Sequence, residues 1–218
     1  MPTSSLKPNN VLVIDTATAS LAVGINGQVL KWKSDQNHAD KLLVMIDRVL
    51  KKAAVKPEML SGVVFVAGPG SFTGLRIGAT VANGIGFVRK IGIVGMSEFD
   101  LLAILVPKQD LMILDAGRGE VFVRGAGKPA ELISISGLAK RVKRGDRVYI
   151  DSPELVALVH SQVKLAGTIT IGPIQRVDKL TVMMTAKVPK RYSQVLPLYL
   201  REANITKSTK TKARPKNG

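Results

Sequence analysis

The chain has 218 residues, an apolar fraction of 45% and no cysteine, which excludes a disordered chain, a disulfide framework and thiolate chemistry. The longest unbroken apolar run, Leu101 to Pro107, falls far short of the roughly 20 residues that span a bilayer. Met1 to Asn10 has no apolar signal core, so a soluble, cytoplasmic protein without a membrane partner is expected. The net charge of +16, clustered at Arg48 to Lys56, Lys140 to Arg147, Lys187 to Arg191 and from Lys207 onward, favours a polyanionic partner such as nucleic acid. Only 4% of residues are aromatic, which argues against a dedicated single-strand binder.

The chain opens as a meander of about three strands. "VLVID" (Val11 to Asp15) is apolar and β-branched, "TATAS" turns, "LAVGI" returns, and "NGQ" is a hairpin signal before "VLKWK". In "HADKLLVMIDRVLKKAAV", Leu42, Leu43, Met45, Ile46, Val49, Leu50 and Ala53 recur at helical spacing. Asn37 or Asp40 is placed to cap that helix. "GVVFVAG" reads as a buried strand, the segment after its glycine turn as a helix, and "GIVGM" as a short strand. The order is that of a mixed α/β unit over residues 1–98.

A second unit, residues 99–201, starts the same way. "LMILD" (Leu111 to Asp115) ends in aspartate, "AGRG" turns and "EVFVRG" returns, a weak internal repeat of the opening. "ISGLAKRVKRG" reads as a helix, "RVYID" as a strand, "PELVALVHSQVK" as a helix and "TITIG" as a strand. A last helix is expected around Ile174 to Ala186, before "VLPLYLR". Residues 202–218 form a polar, basic tail expected to be disordered. Two α/β halves, each opening with a strand that ends in aspartate, follow the plan of actin-like ATPases and sugar kinases. There the turns after Asp15-Thr16 and Asp115 to Arg118 would face each other across a cleft. Strands also end in aspartate for turn reasons alone.

"GPGSFTGLRIG" (Gly68 to Gly78) carries the chain's most specific pattern. It is not a Walker loop, because Leu75 stands where lysine is needed. It is not a nucleophile elbow, because Ser71 lacks the flanking spacing and neither His38 nor His160 is placed as its base. As structure, Gly68, Pro69 and Gly70 turn the chain, and Ser71 or Thr73 caps a helix beginning near Gly74. Gly78, Ala82 and Gly86 recur every fourth residue with Ala79, Asn83 and Gly84 beside them. Each mid-helix glycine costs about 0.5–1 kcal/mol against alanine, so this face is expected to meet another backbone closely, within the domain or between chains. Arg76 opposes the helix dipole in the first turn and is expected to meet a carboxylate or a phosphate.

These residues resemble the signature of the bacterial TsaB (YeaZ) family. "VLVIDTATASLAVGI" is similar to its opening strand, "HADKLLVMID" to its helix start, "LDAGRGEVF" to its second aspartate turn and "LPLYLR" to its closing strand. The resemblance covers all but the first residues and the tail. It implies an α/β fold of two small actin-like (ASKHA, RNase H-like) halves with mixed sheets and flanking helices. It implies an accessory, non-catalytic subunit in the formation of threonylcarbamoyl adenosine on tRNA, dimerising with a larger catalytic homologue, TsaD, or with itself, and joined by a small ATPase, TsaE. No catalytic or metal-ligating residue is assigned to this chain, and ATP and metal are expected on the partner subunits. The implied interface comprises Gly70, Ser71, Phe72, Thr73, Gly74, Leu75 and Arg76 in the motif. It continues with Gly78, Ala79, Ala82, Asn83 and Gly86 in the helix that follows.

The sequence departs from the family at Ala67 before the motif, at Gly117 where the family has arginine, and in its basic tail. That tail and Lys140 to Arg147 are expected to help hold tRNA. "DTAT" lacks a phosphate-approach glycine and only Gly172-Pro173 follows "TITI", so little ATPase activity is expected. An actin-like ATPase or phosphotransferase is the alternative reading. A Ser71 peptidase and a generic nucleic-acid binder are the others. Gly78→Leu or Ala82→Leu is expected to block association and leave the fold intact.

Overall fold

The computed structural model describes residues 10–18, 20–33, 38–106, 109–150, 152–164, 168–171 and 176–200. The Asn37 cap and the tail from residue 202 lie outside them.

The meander forms as expected from β1 (Val11–Asp15), β2 (Ser20–Ile25) and β3 (Gln28–Lys33). Asn26 and Gly27, at φ 48° and 77°, supply the paired left-handed residues that a tight hairpin requires. β4 (Gly62–Gly68) lies parallel to β1, and β5 (Gly92–Ser97) parallel to β4, giving the order β3-β2-β1-β4-β5. α1 (His38–Lys52) and α2 (Phe72–Arg89) cover one face of this sheet. Leu42, Met45, Val49, Ala79 and Ala82 there bury Leu12, Ile14, Val63 and Phe65. All seven residues of β4 are buried, which explains its unbroken apolar run: it is covered on both faces.

After α3 (Glu98–Leu105), the chain repeats the plan with β6 (Leu111–Gly117), β7 (Glu120–Gly125), β8 (Glu131–Ser134), β9 (Arg147–Ile150) and β10 (Thr168–Ile171). The order β8-β7-β6-β9-β10 matches the first sheet strand for strand. Its first three strands run antiparallel and its last two run parallel to β6 in turn. The internal repeat of the sequence is thus a repeat of the fold, and the molecule is built from two α/β lobes of the actin-like plan. Within the second lobe, α4 (Leu138–Arg141) and α5 (Pro153–Gln162) bury Leu138, Leu155 and Val159 against Ile113, Val121 and Val148.

Three local expectations are corrected. β8 has no counterpart in the sequence reading. The helix expected over Ile135 to Gly145 is one 3-10 turn, Ile135–Gly137, followed by the four-residue α4. Lys140, Arg141, Lys143 and Arg144 would crowd like charges at helical spacing, and Asp146 instead caps a turn by accepting the Lys143 N–H at 2.7 Å. Of "LPLYLR", the described residues Leu196 to Leu200 form no strand; Leu198 N–H donates to Ala67 C=O at 2.7 Å beside the end of β4.

The lobes are tied by two helices. α3 lies between the sheets, with Phe99 and Leu102 packed on Met112, Leu114, Phe122 and Tyr149. α6 (Arg176–Met184) crosses back to the first sheet, where Leu180 and Met183 bury Val11, Val13 and Val64. The segment after it follows: a Cβ on Gly62 would meet Val188 at 2.6 Å. Among the described residues no helix is long and apolar enough to cross a membrane.

Candidate docking surface and inter-lobe cleft

The glycine motif is an internal joint. Gly68, at φ 131°, needs glycine's freedom, and the turn it starts delivers Ser71 to cap α2, where its Oγ accepts the Gly74 N–H at 3.3 Å. Gly70, Gly74 and Gly78 then line up every fourth residue against the β1–β2 turn. A Cβ on Gly70 would strike Ala17, and one on Gly74 or Gly78 would strike Thr16. The close approach is fixed by Ser71 N–H donating to Ala17 C=O at 2.7 Å and Thr16 Oγ1 donating to Gly74 C=O at 2.7 Å. Farther along, a Cβ on Gly86 would meet Ile93 of β5 at 2.5 Å.

This geometry uses part of the expected interface inside the chain. Gly74, Leu75, Gly78, Ala79, Ala82 and Gly86 are buried because the small-residue face packs on the chain's own β1–β2 turn and β5. Of the two readings left open for that face, close packing within the domain accounts for it. Asn83 is also spent internally: its Nδ2 donates to Val195 C=O at 2.8 Å, and its Oδ1 accepts the Val195 N–H at 3.0 Å. Among the described residues, Arg76 lies against aromatic rings. Its guanidinium lies 4.1 Å from the Phe72 ring centroid and its Nε donates to Tyr199 Oη at 3.3 Å, with the Phe72 and Tyr199 rings 4.8 Å apart. Thr73 remains exposed on the outer side.

Between the lobes lies a cleft of about 710 Å³, lined by Gly70, Ser71, Glu98, Asp115, Arg118 and Tyr199 among others. Only half of the expected carboxylate pair faces it. Asp115 and Arg118 are exposed on the rim, whereas Asp15 and Thr16 are each only 1% exposed and absent from the lining. The two aspartates do equivalent work in their own turns. Asp15 Oδ1 accepts the Ala17 N–H at 3.0 Å, and Asp115 Oδ1 the Gly117 N–H at 2.7 Å.

Asp15 has a cation near it already. Lys179 of α6 pairs with Glu98 at the start of α3, and both side chains are buried. Burial pulls the Lys179 ammonium below the ordinary lysine range, and the charge of Asp15 pulls it back up. Among the described residues, no group of three or more His, Asp or Glu is arranged to hold a metal ion.

An exposed apolar surface lies on the other side of α2. Between α1 and α2 runs an open apolar groove of about 460 Å³, lined by Leu43, Ile46, Leu50, Val81, Gly84, Ile85 and Val88 among others. Leu43 is 58% exposed and Val88 73%, with Phe87 exposed beside them. Gly84 lies open, with nothing within 4 Å of where a Cβ would stand. The sequence reading missed these residues. Their signal was apolar excess: "LLVMI" in α1 and "GFV" in α2 extend beyond the stripe one buried helix face needs. An exposed apolar patch of this kind marks an interaction surface.

Comparison with known proteins bears on the family and the fold. Residues 27–134 match the family described as TsaD, tRNA N6-adenosine threonylcarbamoyltransferase. The protein named tRNA threonylcarbamoyladenosine biosynthesis protein TsaB from Buchnera aphidicola is 32% identical over 121 residues, covering 51% of this chain and 58% of the relative. The protein of that name from Escherichia coli is 27% identical, with 51% and 52% covered. The chain thus spans about half the length of the curated relatives it matches. Among solved structures, a Pseudomonas aeruginosa protein described as similar to the peptidase YeaZ superposes with TM-score 0.67 at 21% identity, covering 88% of this chain and all of that one. YeaZ from the same organism superposes at 0.63 and 22% identity, with the same coverage. At that identity the superpositions speak to the fold.

Proposed function

We propose that this chain, which belongs to the TsaB (YeaZ) family of tRNA threonylcarbamoyladenosine biosynthesis proteins, is a scaffold subunit that docks a larger TsaD-type homologue and does not itself transfer the threonylcarbamoyl group. The observation that carries this reading is the α1–α2 groove, an open apolar surface on the first lobe. A homologue of the same plan has the same two helices to offer, so a pseudo-symmetric pairing of four helices would bury Leu43 and Val88 against their counterparts. A homodimer through the same face is the resting alternative that such symmetry allows.

The cleft supports the non-catalytic half of the reading. Asp15 is held by its own turn and faces a lysine, and Ser71 is occupied as a helix cap. In this proposal ATP and metal sit on the partner subunits, a TsaE-type ATPase joins the assembly, and tRNA is reached through the complex. The test is co-elution of the full chain with the TsaD-type homologue of its own cell. Leu43→Glu or Val88→Glu should abolish co-elution without changing the circular dichroism spectrum. Undiminished co-elution of both variants would refute the docking face. Saturable nucleotide binding lost in Asp115→Asn would favour an actin-like ATPase instead.

A further inference from the structure

We propose that the end of the first lobe where α1 and α2 finish and β4 and β5 begin holds the phosphate backbone of tRNA, through Lys52, Lys56, Lys90, Lys187, Lys190 and Arg191. The inference rests on the tRNA pathway of the preceding section, but on a surface beside the docking groove.

Two basic stretches far apart in the chain meet at this end. α1 finishes at Lys52 and α2 at Arg89, and the first residues of β4 and β5, Gly62 and Gly92, are paired neighbours. The segment after α6 passes beneath both: a Cβ on Gly62 would meet Val188, and one on Gly92 would strike Pro189 C=O. Lys187 and Lys190 flank those two residues. Lys90 caps α2 two residues before Gly92, and the Phe87 ring stands 5.7 Å from that of Tyr192, the neighbour of Arg191. On the α1 side, Arg89 Nη2 donates to Glu58 C=O at 2.8 Å, which brings Lys56 to the same end. All six named cations are exposed. Among the described residues, none of the six forms an ion pair with a carboxylate. Glu58 is the only acidic residue in 52–62, 89–92 and 186–192.

Helix ends explain part of this charge. Lys51, Lys52 and Arg89 stand in last turns, where a cation complements the helix dipole by about 0.3–1 kcal/mol. That account does not reach Lys187, Lys190 and Arg191, which lie on no helix and add like charge to an end already basic. Nor does it explain Lys90, which holds the left-handed cap position at φ 55°, where glycine fits with least strain. Exposed cations spread across one end of a lobe suit a run of phosphates, which positions nucleic acid without reading its bases. The basic stretch of the second lobe is partly spent internally, since Arg141 and Arg147 are taken by Glu131 and Asp110. Position favours the same end. Pro57, Leu60 and Arg89 line the docking groove, so RNA held by Lys56 and Lys90 would border a partner seated there.

The full chain is titrated with a labelled, unmodified tRNA transcript across a salt series. One triple variant carries Lys52→Gln, Lys56→Gln and Lys90→Gln, and a second Lys187→Gln, Lys190→Gln and Arg191→Gln. A control of equal charge change in the second lobe carries Lys140→Gln, Lys143→Gln and Arg144→Gln. Circular dichroism checks that all three fold. Each of the first two should lower the slope of log affinity against log salt by about 0.7–0.9 per phosphate contact removed, so by roughly two to three. The control should change it far less. Absence of tRNA binding by wild type at low salt, equal losses in all three triples, or unchanged slopes in the first two would overturn the proposal. So would capture by phosphatidylserine vesicles stronger than by tRNA and lost in the same triples, which would make the partner a membrane surface. Co-elution with the TsaD-type homologue is measured on the same chains. If wild type does not co-elute while the first two triples alone lose tRNA, the scaffold reading falls and this surface stands. Intact co-elution with tRNA binding equal in all chains removes this surface and keeps the scaffold.

Discussion

Gly78 and Gly84 sit six residues apart on α2, and alanine at the two positions should shift stability in opposite directions. At Gly84 a Cβ meets nothing within 4 Å, so Gly84→Ala gains only the helix-propensity difference, about 0.5–1 kcal/mol. At Gly78 the same propensity gain is opposed by a Cβ that collides with Thr16 Oγ1. Thr16 must move, which breaks its buried 2.7 Å hydrogen bond to Gly74 C=O. Losing that bond costs about 1–3 kcal/mol, and overpacking adds about 1–3 kcal/mol. The net for Gly78→Ala is a loss of roughly 1–5 kcal/mol. Urea unfolding of both variants, followed by circular dichroism, reads the two signs directly. If both variants gain stability alike, the small-residue face is not internal, and the interface expected from sequence returns. By the same reasoning Gly78→Leu and Ala82→Leu should damage the fold before they report on association.

Further outcomes follow from the joints between elements. Asn83→Ala removes both hydrogen bonds to Val195 and should cost about 1–3 kcal/mol, with faster proteolysis of the segment after α6. Lys179→Met should destabilise more than Glu98→Gln in chemical denaturation. Breaking a buried pair costs about 3–5 kcal/mol, and only the lysine change also withdraws the cation near Asp15. Hydrogen bonds from Arg147 hold the Asp110 carboxyl below the ordinary aspartate range. Its small contribution is therefore present above that range and lost as pH falls through the lowered value. Asp110→Asn should be slightly less stable than wild type at neutral pH, and the difference should vanish in strong acid.

Much of the architecture was legible because local chemistry and tertiary structure agree. The Asn26-Gly27 turn, the apolar β4, the Ser71 cap and the repeated strand–aspartate opening all rest on local rules that the packing obeys. β8 was hidden because "ELIS" has only two apolar residues, Leu132 and Ile133, half-buried on opposite faces of a four-residue strand. The basic "AKRVKR" stretch read as helix because its apolar spacing ignored charge crowding. The packing partner of the small-residue face was hidden for a different reason. Small residues at spacing four announce a close approach but not its partner, and here the partner is the chain's own Thr16 and Ala17. Arg76 likewise announced a partner without naming it, and aromatic rings serve. The α1–α2 groove was visible only as surplus apolar residues, whose exposure depends on where α1 and α2 meet.

The central claim is that the groove between α1 and α2 receives a larger homologue. Tagged wild-type chain and Gly84→Arg are captured from the native cell, and the retained proteins are identified by mass spectrometry. The arginine enters open space in its own lobe, so the variant stays folded while its groove is filled. The account predicts that wild type retains an actin-like homologue larger than itself and that Gly84→Arg loses it. Equal recovery of that homologue by both chains, or its absence from both, would contradict the account.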